Sequence, residues 1–205
     1  MAVFIDNLAY SLFMISFAGF MLLYLISTIY LDYRKKKKEF SSQLVSASIP
    51  LFMISLYMII GGLWGQFQWP LPGSYNILFY DPFISFGLVI MAFVASIRFK
   101  TKFSFVGFFA LLVGIMVIIY GIVGYNLGLT SAPIALLMMY FLYGLAGIFA
   151  YPVSLIIERL PGMQKRVWIG WSISLALFWI LLLLGSLLSG YVGVAAIPAH
   201  LLSAP

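Results

Sequence analysis

Cysteine is absent from the 205 residues, histidine occurs once, and 5 carboxylates stand against 11 lysines and arginines. Without cysteine there is no disulfide, iron–sulfur cluster, thiolate zinc site or Cys-attached haem, although the lack of cysteine does not by itself identify a redox compartment. The single histidine, His200, lies near the C-terminus. That excludes an intramembrane catalytic triad and a haem held by two histidines within the membrane. No sequence motif for nucleotide binding, serine hydrolysis or metal-dependent hydrolysis occurs.

What is present is apolar. Hydrophobic residues make up 64% of the chain, charged residues 8%, and the mean hydropathy is +1.14. One soluble core cannot hide that much apolar surface, so the composition predicts an integral membrane protein. About 20 apolar residues cross a bilayer as a helix. Six such runs account for nearly the whole length, predicting an all-α, polytopic fold of six transmembrane helices in a single domain over residues 1–205. The expected spans are 8–30, 43–65, 82–97, 103–125, 133–157 and 167–192. The first lacks a basic leader region and a clear cleavage site and is expected to be retained. Pro50 falls near the first turns of span two, and Pro152 is expected to kink span five.

All eleven cations fall in the turns that follow spans one, three and five: Arg34, Lys35, Lys36, Lys37 and Lys38; Arg98, Lys100 and Lys102; Arg159, Lys165 and Arg166. The positive-inside rule then places these turns in the cytoplasm and both termini outside, in a cytoplasmic membrane. It also favours six crossings over five or seven. The net charge of +6 is better matched to lipid headgroups than to nucleic acid, with Arg34 to Lys38 the principal headgroup candidates.

Residues 65–82 are expected to form an outer cap rich in aromatics and proline, containing Trp69, Tyr75, Asn76 and Asp81. Asp81-Pro82 reads as the N-cap and first residue of span three. On this reading every ionisable group lies in a loop, a tail or at a span boundary, which argues against a proton-coupled pump, a carrier of charged substrates or a voltage sensor. A weak metal site from Asp6, Asp81 and His200 competes with their reading as solvated interfacial groups, and no metal is expected. Asn126 joins this outer polar set.

Small residues recur at helical spacing. Ser48, Ser55 and Gly62 do so in span two, and Gly107, Gly114 and Gly121 in span four. Such seams let helices approach closely in lipid, or alternatively line a narrow path. Tyr140, Tyr143, Gly144, Gly147 and Tyr151 share one face of span five, suited to interhelical hydrogen bonds or to a crevice for a quinone, lipid or uncharged solute. The outer ends of the even spans also look alike, at 62–65, 121–124 and 190–193, so the chain can be read as three helical hairpins.

The segment Trp69-Pro-Leu-Pro-Gly-Ser-Tyr-Asn-Ile-Leu-Phe-Tyr-Asp81-Pro82, with Tyr151-Pro152, resembles a family of small polytopic membrane proteins of unknown function, mainly archaeal. The resemblance covers spans one to five. It implies the cytoplasmic membrane of an archaeon and carries no activity. The first functional expectation is a non-catalytic subunit or scaffold of a larger, for instance respiratory, membrane complex. Partners would be membrane lipids and other subunits or further copies of the chain. A channel or facilitator for a small uncharged solute is the alternative, and a lipid- or quinone-binding enzyme the third. No cofactor is expected, a bound lipid or quinone being the ligand left open.

Overall fold

The computed structural model describes residues 7–34, 41–130, 132–159 and 169–202. These form six helices: α1 Asn7–Arg34, α2 Ser41–Gln68, α3 Tyr75–Phe99, α4 Phe103–Asn126, α5 Pro133–Arg159 and α6 Ile169–Leu202. All six are long and apolar enough to cross a membrane. A helix satisfies its own backbone hydrogen bonds, which is what a span without water must do. The protein is a polytopic membrane protein.

The helices form a ring. Each packs on its chain neighbours, and α6 closes back onto α1. The most extensive contacts join α4 to α5, α2 to α3 and α1 to α6, whereas pairs linked by the basic turns touch less. Glycines at the ends of the even helices explain that preference. Gly62 and Gly65 of α2 abut Ile84 and Tyr80 of α3; Gly121 of α4 abuts Tyr140 of α5, and Gly124 sits between Leu78 of α3 and Leu136 of α5; Gly190 and Gly193 of α6 abut Ser16 and Leu12 of α1. The three similar tetrads thus occupy equivalent places around the ring.

The start of span three differs from the expectation. The helix begins at Tyr75, not at Pro82, so the outer cap shrinks to the turn 69–74 and Asp81 lies two turns inside α3. Ser74 takes the N-cap position and makes no side-chain cap bond. Proline is tolerated at this interior position because the carbonyl it orphans, that of Leu78 four residues earlier, accepts a 2.5 Å hydrogen bond from the Tyr140 hydroxyl. The turn itself begins where Trp69 adopts a left-handed conformation, φ 51°, ahead of Pro70. Asn76, wholly buried, holds it: its side-chain amide donates to the Gly65 carbonyl at 3.1 Å and its oxygen accepts from the Leu71 amide at 3.2 Å.

At the opposite end, α3 stops at Lys100, also left-handed at φ 53°. Lys102 begins α4 without a side-chain cap, and Glu158 of α5 supplies one by accepting from the Ser104 amide at 2.7 Å. This places a carboxylate where the α4 dipole and its unpaired amides favour one.

Candidate functional site

Five of the six helices line an elongated, partly open cavity of about 160 Å³ within the ring; α2 does not contribute to it. Its walls run from Ile15 to Ile29 in α1, from Phe79 to Phe93 in α3 and from Phe103 to Val117 in α4. Each of those stretches is fifteen residues, and its ends are about 21 Å apart at the rise of an α-helix. The cavity is therefore a shaft along the bundle axis. Its lining is aliphatic and aromatic apart from Tyr140, Tyr143 and Ser154, with no Asp, Glu, Lys, Arg or His among the lining residues.

The three polar side chains are already engaged. Tyr140 donates to the Leu78 carbonyl; Tyr143 pairs with Ser189 of α6 at 2.9 Å; Ser154 donates to the Tyr151 carbonyl at 2.7 Å. With their hydroxyls bonded to protein groups, they leave an interior that offers a ligand an almost wholly apolar surface. Shape and dispersion would hold an occupant there.

Above the shaft sits a polar roof. Asp81 of α3 accepts from the Gln66 side-chain amide of α2 at 2.5 Å and from the Tyr120 hydroxyl of α4 at 2.7 Å. One carboxylate so ties three helices together. Its two donors satisfy both oxygens, which is the condition for holding a carboxylate within a span. The expectation that no ionisable group lies inside a span is corrected here. The Asp-Pro pair looks like a helix start, but the apolar stretch Ile77-Leu-Phe-Tyr80 just before it was the signal that the span begins earlier. Gln66 and Tyr120, the partners of Asp81, were not singled out together by any sequence pattern.

The other candidate residues distribute as follows. Tyr140, Tyr143 and Gly147 line the shaft, as do Gly107 and Gly114. Gly114 meets the backbone of Gly144 and Gly147, so the glycine seam of α4 and the tyrosine–glycine stripe of α5 form one helix interface. Gly121 lies against Tyr140, and Gly107 against Ser154 and Tyr151. The Tyr151 ring makes an edge contact with Phe108 of α4, with centroids 5.8 Å apart. Ser55 and Gly62 are buried, whereas Ser48 is partly exposed and bonds its own helix at the Val45 carbonyl. Trp69 and Asn126 are exposed and Tyr75 half-buried at the roof end. Lys35 to Lys38, Asp6 and the side chains of Arg34 and His200 lie outside the described residues, and so does any metal site built on them.

The fold and this shaft define a small polytopic membrane protein with an apolar axial cavity. The chain belongs to the family described as "Protein of unknown function (DUF981)", whose profile matches residues 1–203. The match includes α6, so the likeness extends beyond the first five spans. No curated protein and no solved structure matches the chain.

Proposed function

We propose that this protein holds the apolar chain of a membrane amphiphile within its helical ring, as a non-catalytic binding component of the cytoplasmic membrane with its basic turns in the cytoplasm. The shaft carries the reading: a long apolar void roofed by a satisfied polar network. Apolar cavities do not retain water and readily accept apolar guests, and an unfilled one forfeits dispersion contacts along its walls. A chain drawn from the bilayer supplies those contacts without a dehydration cost.

The same lining counts against the two rival readings. A conduit for water or small polar solutes needs polar groups along its path, and the shaft presents none free. An enzyme needs an acid, base or nucleophile in reach of its ligand, and the cavity lining holds no Asp, Glu, Lys, Arg or His, while its tyrosine and serine hydroxyls are engaged with other protein groups. The docking role loses part of its motive, since the aromatic cap proposed as the partner surface reduces to the turn 69–74. Membership of a larger complex would then add to chain binding without replacing it.

Native mass spectrometry of the protein purified from its own membranes tests the reading. A retained amphiphile lost in Ala110→Phe, or in Val106→Phe should the first variant not fold, is the expected result. Protein that carries no amphiphile, together with solute-selective flux in liposomes, would overturn it in favour of a facilitator.

A further inference from the structure

The foot of the shaft lies beside an exposed cluster of positive charge. Phe93 and Phe103 line its lower end, their rings tilted and 5.4 Å apart. The turn that joins their helices carries Arg98, Lys100 and Lys102, all exposed, and Lys102 immediately precedes Phe103. The two described carboxylates at this end are turned to other partners. Glu158 accepts from the Ser104 amide, and Asp32 accepts from the Gln43 side chain. At the other end the roof offers Asp81, a carboxylate, with Gln66 and Tyr120 committed to it. The shaft is therefore polarised, with cations at its foot and an acid at its roof.

Length adds a second constraint. The walls extend over fifteen residues in each of α1, α3 and α4, about 21 Å from end to end, whereas one leaflet of a bilayer hydrocarbon core is only about 15 Å deep. A chain that fills the shaft is drawn out further than the depth of one leaflet, as only a long chain can be.

Resting on the chain-binding reading above, we infer that the ligand is a long-chain amphiphile with an anionic phosphate headgroup. The headgroup lies on the α3–α4 turn at Arg98, Lys100 and Lys102, and the chain runs up the shaft towards Tyr140. Charge complementarity at the foot sets which end of the molecule enters last, and the acid at the roof repels the reverse orientation. The source is a membrane lipid and not free phosphate, because the shaft contributes binding only to a ligand that carries a chain.

The test offers the detergent-purified full chain two probes of one chain length, a long-chain isoprenoid monophosphate and the corresponding isoprenoid alcohol, and reads retention by native mass spectrometry. The monophosphate is expected to be retained on the order of a hundredfold more tightly, since each nearby cation contributes roughly a tenfold or somewhat smaller factor. Combined Arg98→Gln, Lys100→Asn and Lys102→Gln is expected to bring the two probes close to parity while leaving alcohol binding in place; asparagine suits the left-handed backbone at 100. Equal retention of both probes by the unaltered protein would overturn the headgroup assignment and leave the chain-binding reading intact. Retention of neither would overturn both. Displacement of the monophosphate by millimolar inorganic phosphate, or phosphate-probe retention unchanged by Ala110→Phe in a variant of native circular dichroism, would show headgroup binding without the shaft and overturn the inference as well.

Discussion

At the scale of single residues, the pairing of Pro82 with Tyr140 decides where α3 begins. A proline eight residues into a helix removes one backbone bond, and the buried Leu78 carbonyl left behind would cost about 1–3 kcal/mol if nothing satisfied it. Tyr140, almost fully buried on α5, reaches it from 62 residues away in the chain. Two consequences follow for thermal unfolding in detergent. Tyr140→Phe alone should destabilise by about 1–3 kcal/mol. In a Pro82→Ala background, where a restored amide at residue 82 can bond Leu78, the same substitution should cost markedly less, and a double-mutant cycle measures the difference as a coupling energy. Additive effects would mean that the hydroxyl serves another partner. The pairing of Pro82 with Tyr140 was not legible in the sequence, although the apolar residues before Asp81 hinted at the earlier start. Asp81-Pro82 is locally an excellent helix start, and only a tyrosine from another helix makes the interior proline acceptable. The tyrosine stripe itself was readable from its spacing, but which hydroxyl met which carbonyl depends on the assembled ring.

Helices in lipid gain little from apolar burial against each other, so close backbone approach must come from small residues. The α4–α5 pair shows this most directly. A β-carbon on Gly114 would press on the Gly144 carbonyl and come within 3.0 Å of the Ile148 amide nitrogen, both backbone atoms that cannot rotate aside. Gly114→Ala should therefore separate the two helices and destabilise by about 1–3 kcal/mol. Gly61→Ala is the control, because its β-carbon would meet only the Tyr57 ring at an ordinary 3.6 Å. There the higher helix propensity of alanine should leave stability unchanged or raise it by up to about 1 kcal/mol. Comparison of the two melting temperatures in one detergent checks both. A third outcome belongs to the helix ends: Glu158→Ala should cost about 1 kcal/mol by uncapping α4, and Glu158→Gln, which keeps the acceptor but not the charge, less than that. The seven-residue recurrence of the α4 glycines was visible in the sequence because periodicity is local to one helix. Their partner was not, since the recurrence names a face without naming what packs on it. The Gly-x-x-Gly tetrads illustrate the same divide: their likeness was readable, whereas their shared role in packing each even helix on the next around the ring emerged only from the closed arrangement.

For the whole molecule, the shaft could not be read from the sequence, because a void belongs to five helices at once. The expectation for sidedness, by contrast, rests on charge alone. Every cation lies in the last turn of α1, α3 or α5 or in the sequence that follows it, and antiparallel packing of successive helices places the C-terminal ends of these three helices at one end of the ring and the 69–74 turn at the other. Moving lysine and arginine across the membrane is unfavourable enough during insertion for this asymmetry to orient the chain. The complete absence of native cysteine makes the consequence measurable without a background. Ser74, exposed and free of a cap bond, and Thr101, exposed between Lys100 and Lys102, are suitable reporters. In intact cells, Ser74→Cys should react with a membrane-impermeant maleimide, and Thr101→Cys should react only after permeabilisation. The reverse pattern would invert the protein and place the Arg98, Lys100 and Lys102 cluster, with any headgroup it holds, on the outer leaflet. Labelling of both sites from one side would be more damaging, since an odd number of crossings between residues 74 and 101 is what the ring, the roof and the axial shaft all require.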